Sequence, residues 1–241
     1  MKAHKLTHAR HIVALGGGGL SMEPDNPLLD DFILSLTGER RPKVCFVPTA
    51  SGDSDNYVAR FYRAFHASRC SPSHLPFFHG QLPDLTDFLS SQDVIYVGGG
   101  STANMLAVWR VHAMDKAIAV AWRKGVVLCG VSAGGMCWFQ AGITDSFGSR
   151  LAPLRDGLGF LKGAFCPHYD SEQGRRPTLQ CELRMGFPST IAADDGVGLH
   201  FVGIRVAEAV SSRPAVRAYW VRFVDRKIIE APIPTRYLGK P

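Results

Sequence analysis

Short apolar runs that stop at glycine or proline constrain the fold of this chain more than any other feature. Three such runs cover residues 11–15, 43–47 and 93–97, and a fourth apolar run, at residues 126–131, ends at Ser132. A buried parallel strand has this form, because helices cover both of its faces and its residues need not alternate between apolar and polar. The pattern predicts a mostly parallel sheet in the core.

Segments with helical character separate these runs. They cover residues 28–36, 55–67, 103–123 and 135–141. Alternating strands and helices favour an α/β fold in which helices flank a mostly parallel sheet. Ligands of such folds bind at the carboxyl ends of the strands. Small or polar residues follow all four runs, so we expect the functional site at that edge.

The last third of the chain has a different pattern. Residues 145–159 are rich in loop-forming residues, and residues 206–238 contain segments that alternate between apolar and polar. Such alternation predicts antiparallel hairpins that complete one side of the sheet. A chain of 241 residues with 46% hydrophobic residues can form one α/β domain over residues 1–241, of which residues 1–10 are expected to be a loose tail.

Composition narrows the classes of function. The net charge of +6 comes from dispersed basic residues, which does not indicate nucleic-acid binding. Neither a signal sequence nor an apolar run of membrane-spanning length is present, so we expect a cytoplasmic protein with no membrane partner. The sequence leaves open whether two copies form a homodimer.

Cysteine and histidine usage indicates no metal or organic cofactor. The cysteines form no Cys-x-x-Cys pair, which is typical of reduced core residues in a reducing compartment. They are Cys45, Cys70, Cys129, Cys137, Cys166 and Cys181. His4, His8 and His11 lie near the N-terminus without acidic or cysteine ligands beside them, so a metal site is not expected there.

One segment carries the main chemical signal. Ser132 lies between Gly130 and Gly134, directly after the apolar run that ends the fourth predicted strand. A strand, a Gly-x-Ser-x-Gly turn and a helix in this order are the signature of a nucleophile elbow. The N–H of Ala133 would then lie at a helix N-terminus, where it can stabilise developing negative charge. The alternative is a glycine-rich turn with an incidental serine.

A serine nucleophile requires a base and an acid that orients the base. His168 ends an apolar stretch and opens a polar loop, so we favour it over the other histidines, including His66, His74, His79 and His112. Asp195 directly precedes a glycine after a predicted strand and is our choice of acid. Asp194 and the more distant Asp145 are its rivals.

The run Gly98-Gly99-Gly100-Ser101-Thr102 supplies a second group of backbone donors. The N–H of Gly99 or Gly100 could join that of Ala133 in an oxyanion hole. The competing interpretation is nucleotide binding, but the loose Gly-x-Gly pattern is not followed by a strand that ends in an acidic residue.

Together, these blocks resemble the peptidase E group of serine peptidases, which includes the cyanophycinases. The resemblance covers roughly residues 11–205 and rests on the blocks 97–102, 130–134, 167–169 and 195–196. It implies a sheet related to class I glutamine amidotransferases and hydrolysis of short peptides after an N-terminal aspartate. It also implies that Ser132, His168 and Asp195 form the triad, with Gly99 and Ala133 as the oxyanion hole and Gly100 and Ser101 beside the substrate.

The resemblance further implies an arginine that binds the substrate aspartate. Arg176, or its neighbour Arg175, stands at the matching place, although both could be solvated loop charges. The chain departs from the family in having Asp195 where the dipeptidases have Glu, and Ser101 where members carry Asn. We therefore expect a serine peptidase for short peptides with an N-terminal Asp or another small or acidic residue. A cyanophycinase-like isopeptidase and a non-catalytic small-molecule binding protein are the alternatives.

Overall fold

The computed structural model describes residues 9–240, and within this range the chain forms fourteen β-strands and eight α-helices. The strands are, in chain order, β1 (His11–Leu15), β2 (Lys43–Val47), β3 (Ser71–His74), β4 (Val94–Val97), β5 (Val127–Val131), β6 (Phe139–Thr144), β7 (Ala152–Leu154), β8 (Leu161–Cys166), β9 (Thr190–Ala193), β10 (Val197–Val202), β11 (Arg205–Ser211), β12 (Ala218–Val224), β13 (Lys227–Ile233) and β14 (Thr235–Tyr237). The helices are α1 (Gly19–Met22), α2 (Leu28–Ser35), α3 (Asp55–Ala64), α4 (Leu85–Ser90), α5 (Thr102–Val111), α6 (Met114–Arg123), α7 (Ala133–Met136) and α8 (Arg175–Arg184).

Eight strands form the main sheet, in the order β14-β11-β10-β1-β5-β4-β2-β3. Five adjacent strands of this sheet are parallel to one another, namely β1, β5, β4, β2 and β3, whereas β10 is antiparallel to both β1 and β11. Successive residues of β1 alternate between two core clusters, since Ile12 belongs to one and Val13 to the other. Both faces of the sheet are therefore covered, and the predicted mostly parallel α/β fold is confirmed.

A second sheet has the order β13-β12-β9-β8-β6-β7. Its strands β6, β8 and β9 are parallel, and β12 and β13 form an antiparallel pair. The predicted C-terminal hairpins are present, but only the β10–β11 hairpin, followed by β14, extends the main sheet, while β12 and β13 belong to the second one. The rings of Phe139 in β6 and Phe201 in β10 meet edge to face, with centroids 5.8 Å apart, so the two sheets share a core.

Two predicted helices differ from the structure. The helix expected over residues 135–141 is wrong: α7 has only four residues, and the chain enters β6 at Phe139. The apolar residues after α7 form a buried strand instead. Periodicity alone does not distinguish a short buried helix from a buried strand. The helix expected over residues 103–123 is divided at Ala113, whose φ of 55° separates α5 from α6.

The N-terminal residues 1–8 lie outside the described part of the chain, and with them His4, His8 and most of the predicted tail. His11 is described, and its Nδ1 lies 2.9 Å from Nε2 of His200 in β10. Within residues 9–240, three or more potential His, Cys, Asp or Glu ligands nowhere come together around a metal position. The helices of this range are too short or too polar to cross a membrane.

Candidate active site

Ser132 occupies the sharp turn between β5 and α7. Its backbone has φ 54° and ψ −112°, a region that non-glycine residues rarely adopt and that is often found at functional sites. The flanking glycines are required by close packing, because a Cβ on Gly130 would lie 2.9 Å from the Cα of Gly134. The strand, turn and helix therefore form the geometry of a nucleophile elbow, although the helix is short.

His168 and Asp195 lie beside this turn and contact each other. His168 follows β8 with φ 53°, and its N–H donates to the Gly16 carbonyl at 3.1 Å. Its Nδ1 lies 2.7 Å from Oδ1 of Asp195, the residue but one after β9. Among the described residues, neither rival acid forms a hydrogen bond with His168: Asp194 accepts the N–H of Arg217 at 2.9 Å, and Asp145 is solvent-exposed.

The surroundings of Asp195 favour its ionised form. Its side chain is 4% exposed, and burial alone would raise its pKa. Hydrogen bonds from His168 and Ser171, together with the nearby positive charge of Arg213, outweigh burial and lower the pKa of Asp195 below its ordinary value. An ionised carboxylate can only accept hydrogen bonds. The proton in its bond with His168 is therefore carried by Nδ1, and Nε2 of the imidazole is left as the acceptor.

Gly17, just after β1, makes room for this pair. A Cβ at this position would lie 2.8 Å from Cγ of Asp195 and 3.1 Å from Cε1 of His168. The carbonyl of Gly17 also accepts the N–H of Gly196 at 3.1 Å. The glycine-rich segment after β1 thus packs directly against both side chains and ties their loops to the main sheet.

Two cavities flank Ser132 and His168. The smaller one has a volume of about 280 Å³ and is lined by Ser21, Tyr57 and Arg60, among others. The larger one has a volume of about 410 Å³ and is lined by Asn104, Asp145, Glu172 and Arg175, among others. Gly100, Ser132 and His168 line both. Within residues 9–240, no hydrogen bond joins Ser132 to His168, and such bonds often form fully only with substrate bound. The remaining described histidines weighed as bases line neither cavity; they are His66, His74, His79 and His112.

The backbone donors around Ser132 differ from the expectation in one respect. The N–H of Gly99 donates to the hydroxyl of Tyr57 at 3.1 Å, so it is not free for an oxyanion. The N–H groups of Gly100 and Ala133 have no acceptor among the described residues. Sequence reasoning missed Tyr57 and its neighbour Ser21; the Gly-rich segment that contains Ser21 was a signal, but no pattern marked Tyr57.

Of the expected substrate-binding residues, Ser101 and Arg175 line the larger cavity and Arg176 does not. Ser101 is the N-cap of α5, and its side chain accepts the N–H of Asn104. Arg175 is buried, with Nε 2.6 Å from Oε2 of Glu172 and a further hydrogen bond to the carbonyl of Ile143.

Arg176 is directed away from the cavities. Its guanidinium stacks over the ring of Tyr169 at 4.6 Å from the centroid and lies 3.7 Å from Oε2 of Glu230. The two neighbouring arginines of α8 therefore occupy different environments, and only Arg175 is placed to contact a molecule next to Ser132.

Solved structures share this architecture. A peptidase from an acI-B1 Actinobacterium superposes with a TM-score of 0.68 at 17% identity, over 93% of this chain and 96% of that one. A putative peptidase E protein from Listeria monocytogenes EGD-e superposes with a TM-score of 0.63 at 19% identity, over 86% of this chain and 100% of that one. At these identities the likeness shows the fold alone.

Sequence comparison shows the family. The chain is 49% identical over 231 residues to the uncharacterized peptidase YgaJ of Bacillus subtilis (strain 168). The alignment covers 95% of this chain and 100% of that protein. The profile of Peptidase family S51 matches residues 12–208, a range that contains the serine turn and the His168–Asp195 pair. The chain therefore belongs to peptidase family S51 and is a peptidase.

Proposed function

We propose that this peptidase is a serine enzyme in which Ser132 is the nucleophile, His168 the general base and Asp195 the orienting acid. The observation that carries the proposal is the 2.7 Å contact between His168 Nδ1 and Asp195 Oδ1 beside a serine in the backbone conformation of an elbow. The lowered pKa of Asp195 supports it, because an ionised acid holds the imidazole in the tautomer whose Nε2 can accept the serine proton.

The proposed reaction proceeds through an acyl-enzyme. Ser132 Oγ attacks the peptide carbonyl carbon while its proton passes to Nε2 of His168. The C–N bond then breaks, and the leaving amine takes that proton from His168. A water molecule, deprotonated in turn by His168, attacks the acyl carbon, the bond from that carbon to Ser132 Oγ breaks, and His168 returns the proton to Oγ. Asp195 stabilises the imidazolium in each step.

The oxygen of the scissile carbonyl becomes negatively charged in this reaction. Unpaired N–H groups near the nucleophile can stabilise that charge, and removal of one such donor typically slows catalysis by about 10²–10³-fold. We propose that the N–H groups of Ala133 and Gly100 are donors of this kind, since neither has an acceptor among the described residues. The N–H of Gly99 has an acceptor in Tyr57 and is therefore left out of this pair.

The charges of the two cavities support short peptides as substrates. Arg60 forms no ion pair among the described residues and lines the smaller cavity, where it could bind the free carboxylate of a short peptide. In the larger cavity, the charge of Arg175 is shared with Glu172, and Asp145 lies nearby. An N-terminal aspartate therefore gains less from Arg175 than from an unpaired arginine, which favours a small residue as well as an acidic one.

The test compares the wild-type protein with Ser132→Ala on Asp-, Glu-, Gly- and Ala-p-nitroanilide, with mass spectrometry of Asp-X and Gly-X dipeptides in parallel. We expect turnover that is lost in Ser132→Ala and is stronger for dipeptides with a free carboxylate than for their amides. Arg175→Ala should change the ratio of Asp to Gly turnover, and Arg176→Ala is its matched control. Turnover that persists in Ser132→Ala would exclude the serine mechanism. Cleavage of β-aspartyl-arginine polymer with no cleavage of the dipeptides would instead assign a cyanophycinase-like activity.

The thiols support the proposed cytoplasmic location. All six cysteines lie in the described part of the chain and are unpaired, and five of them are buried. Unpaired thiols of this kind are typical of proteins in reducing compartments.

A further inference from the structure

Tyr57 lies in the first turn of α3, and its ring is held firmly beside the active site. The ring meets Phe46 of β2 edge to face, with centroids 5.0 Å apart. On another side, a Cβ on Gly98 would lie only 2.9 Å from Cε1 of the Tyr57 ring. With a large ring packed on one side and the backbone of Gly98 on another, the position of the Tyr57 hydroxyl is well defined.

The hydroxyl of Tyr57 faces the smaller cavity next to Ser132. It accepts the N–H of Gly99 at 3.1 Å and contacts the hydroxyl of Ser21, which follows the glycine-rich segment after β1. A Cβ built on Gly99 would lie 3.5 Å from Cβ of Ser132 and 3.9 Å from the oxygen of Tyr57. The nucleophile and the tyrosine hydroxyl therefore lie within contact distance of the same point.

The hydrogen bonds of the Tyr57 hydroxyl can leave its own proton available as a donor to the smaller cavity. A tyrosine hydroxyl has one proton to donate and can accept from other donors. When its oxygen accepts the Gly99 N–H and the Ser21 hydroxyl proton, its own proton is free to point into the cavity. Burial raises the pKa of the Tyr57 hydroxyl above its ordinary value, so this proton is retained at neutral pH.

On the basis of the serine mechanism proposed above, we propose that the Tyr57 hydroxyl donates a hydrogen bond to the oxygen that becomes negatively charged during acyl transfer. Gly99 thus acts on that oxygen through Tyr57 rather than through its own N–H. In the proposed arrangement, the Gly99 N–H and the Ser21 hydroxyl both donate to the tyrosine oxygen and polarise its O–H bond, which strengthens it as a donor. This contact makes Tyr57 a catalytic residue, and Ser21 a positioning residue that acts through it.

The experiment measures how fast a fluorophosphonate labels the full-length protein, because that reaction needs no known substrate. Ser132 Oγ attacks phosphorus, the P–F bond breaks, fluoride leaves, the serine proton passes to His168, and the phosphonyl oxygen gains negative charge next to the oxyanion donors. We expect Tyr57→Phe, which keeps the ring and its packing on Phe46, to lower the second-order labelling rate by about 10–1000-fold. Mass spectrometry of the labelled peptide checks that Ser132 carries the adduct.

Control variants separate a donor from a structural role. Tyr62→Phe is the matched control, since Tyr62 is in the same helix but its hydroxyl contacts His74; its rate should equal that of the wild type. Ser21→Ala should slow labelling less than Tyr57→Phe does, and the double variant should be no slower than Tyr57→Phe alone. The melting temperature of Tyr57→Phe should stay close to that of the wild type. When a peptide that the enzyme hydrolyses is used as the substrate, Tyr57→Phe should lower kcat by a larger factor than it changes KM.

The outcomes distinguish this proposal from the serine mechanism on which it rests. If Ser132→Ala is not labelled but Tyr57→Phe reacts as fast as the wild type or faster, the hydroxyl is no oxyanion donor, while the serine mechanism stands. If the wild type is not labelled, or Ser132→Ala is labelled equally, the serine mechanism fails and the role of Tyr57 fails with it.

Discussion

Gly17→Ala should disable the active site by displacing Asp195, although Gly17 itself has no chemical role. The new Cβ would lie 2.8 Å from Cγ of Asp195, whereas carbon atoms in contact lie about 3.5–4.0 Å apart. The carboxyl group must therefore withdraw by about 1 Å. A shift of this size takes the 2.7 Å His168–Asp195 contact beyond the range of a hydrogen bond. Misplacement by 1 Å can cost about a hundredfold in rate, which is the loss of kcat/KM that we expect.

The assay is a double-mutant cycle on kcat/KM with Gly17→Ala, Asp195→Ala and their combination. If the alanine acts by displacing Asp195, it has nothing left to displace once that carboxyl group is removed, and the double variant should be about as active as Asp195→Ala. Circular dichroism should show a retained fold, because the backbone of Gly17 is not in the left-handed region. If the double variant loses kcat/KM by the product of the two single losses, or if Gly17→Ala is fully active, the reasoning is refuted.

The remaining predictions concern carboxyl groups. Asp195→Asn should lower kcat by about a thousandfold or more, because the imidazole loses its correct tautomer. Asp194→Asn and Asp145→Asn should each lower kcat by less than about tenfold. A larger loss in either variant would assign the role of orienting acid to that residue instead of Asp195. Burial raises the pKa of Asp30 to about 7, so the folded state keeps a proton that the unfolded state loses above about pH 4. The free energy of unfolding should therefore fall by up to about 4 kcal/mol between pH 4 and pH 7 relative to Asp30→Asn. Urea unfolding of both proteins across this range measures the difference, and parallel pH profiles would contradict it.

The strands that the sequence predicted well are the ones buried on both faces. β1 and β2 match their apolar runs residue for residue, and β4 and β5 each begin one residue later than expected. The sequence did not predict β3, the edge strand Ser71–His74, because its polar residues and proline carry no apolar pattern. An edge strand has one neighbour and tolerates such residues, so its pairing depends on the rest of the sheet.

The residues of the candidate site also differ in how far the sequence could predict them. Ser132 could be predicted because the elbow is a local pattern, and the choice of Asp195 rested on its place before a glycine at a strand end. Tyr57 could not, because it lies in a helix whose apolar face also packs on the core, and its contact with Gly99 spans 42 residues of sequence. Arg175 and Arg176 are adjacent in sequence, and only the orientation of α8 separates their environments.

The two spacings within the proposed triad are held by different parts of the fold. Ser132 follows β5 of the main sheet, whereas His168 follows β8 of the second sheet and Asp195 follows β9 beside it. The distance between base and acid is thus governed by two adjacent strands, but the distance between nucleophile and base crosses from one sheet to the other. It is held by contacts such as Phe139 with Phe201 and by the bond from the His168 N–H to the Gly16 carbonyl. Slight loosening between the layers on heating, with loss of that bond, would separate serine from histidine while every strand remains intact. Thermal inactivation would then precede unfolding, and substitutions deep between the layers could adapt turnover to temperature without altering any residue that meets the substrate.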